Sequence, residues 1–168
     1  MVTYRPLYAY FCIYGQTLSR VKVFQGSFQH QLDDKGRLRI PPRFRDQLGD
    51  NPVMMLGLDT KCVVVYRRED YEENFTKRFE GADILDPYIR EVKRAVYANT
   101  MDVVEDKQNR VTLLPYFIEE CGMSKKLISV GLGDCFEIWD EDAYYRHKNG
   151  VDMNNVLLEC RKGREGAK

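Results

Sequence analysis

The large apolar residues Phe24, Phe28 and Leu32 all fall on even positions, and so do Leu38 and Ile40 a few residues later. A period of two places such side chains on one face of a strand, so one strand runs into Asp33 and another leaves after Gly36. Between them Gly36 suits a positive φ and Asp33 can bond nearby amides, which predicts strand, tight loop, strand. Pro42 fits the first position of a short helix that runs through Leu48 and closes at Gly49. The apolar runs Val53–Leu58 and Cys62–Tyr66 predict a further hairpin. Tyr71, Phe75 and Phe79, four apart, then mark one face of a helix.

This pattern occurs twice. Asp33-Asp34-Lys35-Gly36-Arg37 returns as Asp106-Lys107-Gln108-Asn109-Arg110, and Pro42 and Gly49 return as Pro115 and Gly122, each pair 73 residues apart. A spacing held in register over a whole block marks one structural unit built twice. Leu127–Leu132 answers to Val53–Leu58 and Cys135–Trp139 to Cys62–Tyr66, so each copy reads strand, strand, short helix, strand, strand, helix. That is an α+β class. Asp140 caps a helix that stops at Gly150. Between the copies, Asp86-Pro87 starts a helix with Ile89, Val92 and Val96 on one face.

The division that follows is residues 27–71 and 100–144 for the two repeats, 72–99 for connecting helices and 145–168 for a tail. From residue 151 the tail has no periodicity, becomes polar and basic at its end, and is expected to be mobile. Residues 1–22 stand apart as an unrepeated extension, with Arg5, Arg20 and Lys22 but no acid. They lack the cleavage site and length of a secretory signal. They read as a flexible arm or, preferably, as the product of a start codon assigned too far upstream.

Composition narrows the class. At 43% hydrophobic and 31% charged, the 168 residues describe a globular protein, and no apolar run is long enough to span a bilayer. Five cysteines without a Cys-x-x-Cys pair favour buried thiols in a reducing compartment, hence a cytoplasmic location. The formal net charge is zero, so any binding to a polyanion has to come from local clustering. Such a cluster exists at the first turn, where Lys35, Arg37, Arg39, Arg43 and Arg45 face only Asp33, Asp34 and Asp46. Outward arginines and lysines on a rigid hairpin meet phosphates, and arginine also pairs with guanine edges in the major groove. Taken alone, such a hairpin is more often a solvated face.

The phrase Phe24-Gln25-Gly26-Ser27-Phe28 leading into Leu32–Pro41, with Gly57-Leu58-Asp59, Asp106–Arg110 and Gly131–Trp139, resembles the bacterial MraZ family over roughly residues 23–148. The resemblance implies tandem AbrB-like swapped-hairpin β units, packed as a pseudo-twofold barrel with short and peripheral helices. It also implies a ring-shaped homo-oligomer and a transcription factor, associated with the nucleoid, for the division and cell-wall gene cluster that begins with its own gene. The DNA-contacting role carries over to Lys35, Arg37 and Arg39 in the first copy and to Lys107 and Arg110 in the second. Asp33, Gly36, Asp106 and Asn109 shape the turns. In this chain Asn109 replaces the family's glycine, and Leu114 stands where the usual second-copy proline would match Pro41.

Two other functions fit parts of the sequence. Asp33 with Asp34 and Glu105 with Asp106 are adjacent acids that could hold magnesium in a nuclease, although such pairs at hairpin turns are more often solvated or bonded to amides. A ring-forming assembly protein without DNA specificity would look almost the same. His30 and His147 lie in no metal-ligand spacing. Cys62, Cys135, Tyr66 and Trp139, at matched positions, read as core. The preferred reading is a DNA-binding regulator of promoter direct repeats, probing double-stranded DNA as a ring, with no enzymatic activity, metal, cofactor or membrane partner.

Overall fold

The computed structural model describes residues 23–83 and 85–165; the expectations for residues 1–22 lie outside them. The chain divides into two units, of which one comprises residues 22–144. In its described part the first copy supplies β1 (Ser27–Gln31), β2 (Arg37–Leu38), α1 (Pro42–Leu48), β3 (Val53–Leu56), β4 (Val63–Tyr66) and α2 (Arg68–Tyr71). A π-helical turn, Glu72–Thr76, and a 3-10 turn, Lys77–Phe79, continue α2, so the expected aromatic helix is present but not uniformly α-helical. Then come α3 (Pro87–Tyr97), β5 (Thr100–Asp102), β6 (Val111–Thr112), α4 (Pro115–Glu120), β7 (Lys126–Gly131), β8 (Cys135–Asp140) and the start of α5 (Glu141–Gly150).

The strands of the two copies interleave. Six form one antiparallel sheet in the order β1-β7-β8-β4-β3-β5, and the remaining two, β2 and β6, pair with each other. Replacing every strand by its repeat counterpart reverses this order without changing it, the mark of a pseudo-twofold arrangement. The first strand of each copy thus pairs with the third strand of the other, β1 with β7 and β5 with β3.

Alternation within the strands sorts the core onto two faces. Met54, Val63, Val65, Leu127, Phe136 and Ile138 point to one side, where they meet Leu38, Ile40, Phe44, Val111, Leu113 and Phe117 from the β2–β6 ribbon and the short helices. Val53, Met55, Val64, Ile128 and Trp139 point to the other, against Tyr71, Val96 and the partly buried Phe75, Phe79 and Tyr144. Burial on both faces explains why β3 and β4 read as continuous apolar runs.

Two helices, α3 and α5, start where an aspartate satisfies a free amide, whereas α1, α2 and α4 carry no side-chain cap. Asp86 accepts from the Tyr88 amide (2.8 Å) before α3, and Asp140 from the Ala143 amide (3.0 Å) before α5. On α3 only Val96 is fully buried; Val92 is exposed, so the apolar face is narrower than the spacing implied. Cys62 and Cys135 are buried, and desolvation pushes both thiols well above their ordinary range.

The second unit is described over residues 145–165. Here Met153–Glu165 form α6, a regular element that the sequence pattern did not predict. Its start is local in origin: Asp152 Oδ1 accepts from the amides of Asn154 (3.0 Å) and Asn155 (3.3 Å). Among the described residues, no helix is long and apolar enough to cross a membrane.

Candidate nucleic-acid interface

The two turns are built alike, with each aspartate using its two oxygens for different tasks. Asp33 Oδ1 accepts from the amides of Lys35 and Arg37, both at 2.9 Å. Its Oδ2 takes Arg37 Nε at 2.8 Å and Nη2 at 2.7 Å. Asp106 repeats this with the amides of Gln108 (2.8 Å) and Arg110 (3.0 Å), and with Arg110 Nε (2.8 Å) and Nη2 (2.7 Å). The left-handed position is Gly36 at φ 71° in one turn and Asn109 at φ 58° in the other. Asparagine tolerates that conformation better than most side chains do, and the second loop keeps the bonding pattern of the first.

Hydrogen bonding of this kind favours the charged carboxylate. The guanidinium of Arg37 beside Asp33, helped by the two amides, holds the carboxyl down to about 2, and Arg110 does the same for Asp106. Engaging Nε and one Nη of each arginine fixes the plane of the guanidinium and leaves its other N–H groups to meet an outside acceptor.

Antiparallel pairing of β2 with β6 brings the turns together, setting Arg37 opposite Thr112 and Leu38 opposite Val111. Leu38 and Val111 are buried, so Arg37, Arg39, Arg110 and Thr112 share the outer face. Lys35 and Lys107 are exposed in the loops. Two of the acids that temper this surface are already paired: Asp34 with Lys125 (2.6 Å) and Glu105 with Arg45 (2.8 Å). Lys35, Arg39, Arg43 and Lys107 make no ion pair among the described residues. The candidate surface therefore combines Lys35, Arg39 and Lys107, which make no ion pair among the described residues, with two carboxylate-held arginines, on a chain of zero formal charge.

The matching family model is that described as "MraZ protein, putative antitoxin-like", over residues 23–93 and 96–154. This chain belongs to the MraZ family. It is 34% identical to the "Transcriptional regulator MraZ" of Mycoplasmoides gallisepticum over 138 residues, which is 82% of this chain and 96% of that protein. The protein of the same description from Clostridium acetobutylicum is 31% identical over 80% of this chain and 94% of its own length, and that from Paenarthrobacter aurescens 32% over 76% and 87%. The two matched segments of the family model fall one on each repeat.

All nine residues singled out in the sequence lie in or beside the two turns, but a partner of the second turn was read only as part of the first-turn cluster. Arg45, on α1, reaches across to the second turn: its Nε donates to both oxygens of Glu105 (2.9 and 2.8 Å) and its Nη2 to Asn109 Oδ1 (3.0 Å). A sequence signal for it exists. Arg45 and Glu105 are both charged, whereas their repeat counterparts, Ile118 and Leu32, are both apolar. A simultaneous change of character at two positions of one repeat pair is what a contacting pair produces.

Proposed function

We propose that this protein is a sequence-specific, DNA-binding transcriptional regulator, and that the β2–β6 ribbon with its two turns is the surface that meets DNA. The observation that carries this reading is the shared outer face of Arg37, Arg39 and Arg110, flanked by Lys35 and Lys107. Arginines held by Asp33 and Asp106 are preorganised to meet phosphate or a guanine edge, which lowers the ordering cost of each contact. Family membership supports the finer picture: AbrB-like swapped-hairpin units closed as a barrel, direct repeats upstream of the protein's own gene in the division and cell-wall cluster, and repression there. The interleaved strand order supports the swapped-hairpin description.

One protomer offers few contacts, so the reading includes a homo-oligomeric ring that presents the same face to successive repeats. A magnesium-dependent nuclease is disfavoured by what the acids touch. Arginines occupy Asp33, Asp106 and Glu105, and a lysine occupies Asp34.

The test is a gel shift at two salt concentrations, comparing DNA from upstream of this gene with unrelated DNA of equal length. Preference for the upstream DNA supports the regulator. Equal, weak binding to both would leave an assembly protein, and cleavage on adding magnesium would revive the nuclease.

A further inference from the structure

Each short helix secures the left-handed residue of the opposite copy's turn, but the two halves do it by different chemistry. In one half Ile118 of α4 lies over Gly36, so closely that a Cβ built on Gly36 would sit 3.2 Å from Ile118 Cδ1. In the other half the residue at the helix position of Ile118 is Arg45, and it bonds to Asn109, the counterpart of Gly36. Its guanidinium is anchored at the same time on Glu105, whose counterpart Leu32 is buried with the core.

We infer that Arg45 is a positioning residue: with Glu105 it latches the second turn in the shape that presents Arg110, and is thereby withdrawn from phosphate contact. This inference rests on the ribbon being the DNA-binding surface. The need for a latch is specific to this turn. Asn109 at positive φ is less comfortable than the glycine of the first turn, and the residue that follows it is Arg110. The pair also removes one cation and one acid from the surface together, which is why Arg45 is not counted with Lys35, Arg39, Arg43 and Lys107.

An ion pair this accessible adds little to global stability. Its effect is local, on the fraction of molecules whose second turn is correctly shaped. If that fraction falls to a tenth, the apparent affinity of each protomer falls about tenfold.

The experiment uses the full chain and three variants: Arg45→Ile, the double variant Arg45→Ile with Glu105→Leu, which copies the apolar pair of the other half, and the charge reversal Arg45→Glu with Glu105→Arg. Amide hydrogen exchange is read at residues 107–110 and 34–37, and affinity for the upstream duplex is read by fluorescence anisotropy over a salt series. Arg45→Ile is expected to speed exchange at residues 107–110 by at least about tenfold, to leave residues 34–37 unchanged and to weaken DNA binding by about tenfold per protomer. At least one of the two compensating pairs is expected to restore both readouts.

The inference is overturned if Arg45→Ile leaves exchange at residues 107–110 as in the parent. It is also overturned if neither pair restores binding and the salt slope falls by about one per contact, the behaviour of a direct phosphate contact. If the parent shows no preference for the duplex, the proposed function fails, and the exchange measurements still decide the latch.

Discussion

Asp33 Oδ2 of the first turn lies 3.9 Å from Arg110 Nη1 of the second, so the two copies share one network of two carboxylates and two guanidiniums. The field of Asp106 reaches Arg37 in the same way, adding to the stronger effect of Asp33. Neither turn is electrostatically independent of the other. A change in one turn is thus felt by both.

Replacing Arg37 by alanine leaves Asp33 with its two backbone donors, so the loop persists and the melting temperature falls by no more than a few degrees. DNA binding is expected to fall at least about tenfold for a lost base or phosphate contact, compounded across the subunits on one duplex. Arg37→Lys is not expected to rescue, because an ammonium cannot hold Asp33 along one edge while presenting another. Arg110→Ala is expected to be milder, since Gln108, Thr112 and Tyr116 stand where the first copy has Lys35, Arg39 and Arg43. Melting curves and anisotropy on the same preparations check this; parent-like affinity of the Arg37→Ala protein would remove Arg37 from the interface.

Acid should weaken the fold in two separate windows. Burial lowers His30 to about 4, with its Nε2 against Ser129 Oγ (2.8 Å) and its Nδ1 unbonded. Between its ordinary value of 6.5 and about 4 the unfolded chain binds the proton and the folded chain does not, so stability drops as pH falls. Asp33 and Asp106, held near 2, act lower down. Their contribution is complete above the ordinary 3.8 and is lost as pH falls from there toward about 2. Melting temperature against pH should lose its upper slope in His30→Gln and its lower slope in Asp33→Asn with Asp106→Asn. Profiles identical to the parent in either window would contradict the corresponding assignment.

Gly131 is needed for a close approach of backbones at the end of β7. A Cβ there would lie 2.4 Å from the carbonyl carbon of Phe24 and 2.5 Å from its oxygen, where the chain crosses with a Gly131 amide to Gly26 carbonyl bond of 2.9 Å. Gly131→Ala is expected to destabilise by at least about 2 kcal/mol, since main chain has to move. Gly122→Ala, where the Met123 amide bonds back to the Ile118 carbonyl at the end of α4, meets open space and suffers only from its φ of 60°, a cost of about 1–2 kcal/mol. Urea unfolding should rank the two in that order.

Phe44 and Phe117 are repeat counterparts, both buried, with different neighbours. Phe44 packs edge-on against Phe24 (5.6 Å) and Phe28 (4.9 Å) and tilted against Phe136 (4.8 Å), while the ring contact of Phe117 is with Tyr116 (6.3 Å). Either alanine variant should cost about 3–5 kcal/mol through the cavity it opens. Phe44→Leu should exceed Phe117→Leu by about 1 kcal/mol, the worth of the additional aromatic pairs. Denaturant midpoints that place Phe117→Leu below Phe44→Leu would show that the aromatic cluster contributes nothing of its own.

Where the chain turns, where most helices begin and which strand positions face the core were determined by the sequence alone, because each depends on neighbours within a few positions. Period two at Phe24–Leu32, the Asp33 and Asp106 turns with their left-handed Gly36 and Asn109, and the caps at Asp86 and Asp140 are local signals of this kind. The cap at Asp152 is another, and it went unread because the residues beyond it lack an apolar period. Only the tertiary structure decided which strands pair. Nothing within β1 distinguishes β7 from β3 as a partner, since the repeat makes the two nearly equivalent, and the choice lies in long-range packing. That pairing of β1 with β7 and β5 with β3, together with β2 against β6, puts Arg37 and Arg110 on one face and carries Arg45 to Glu105, a contact between residues 60 apart in the chain.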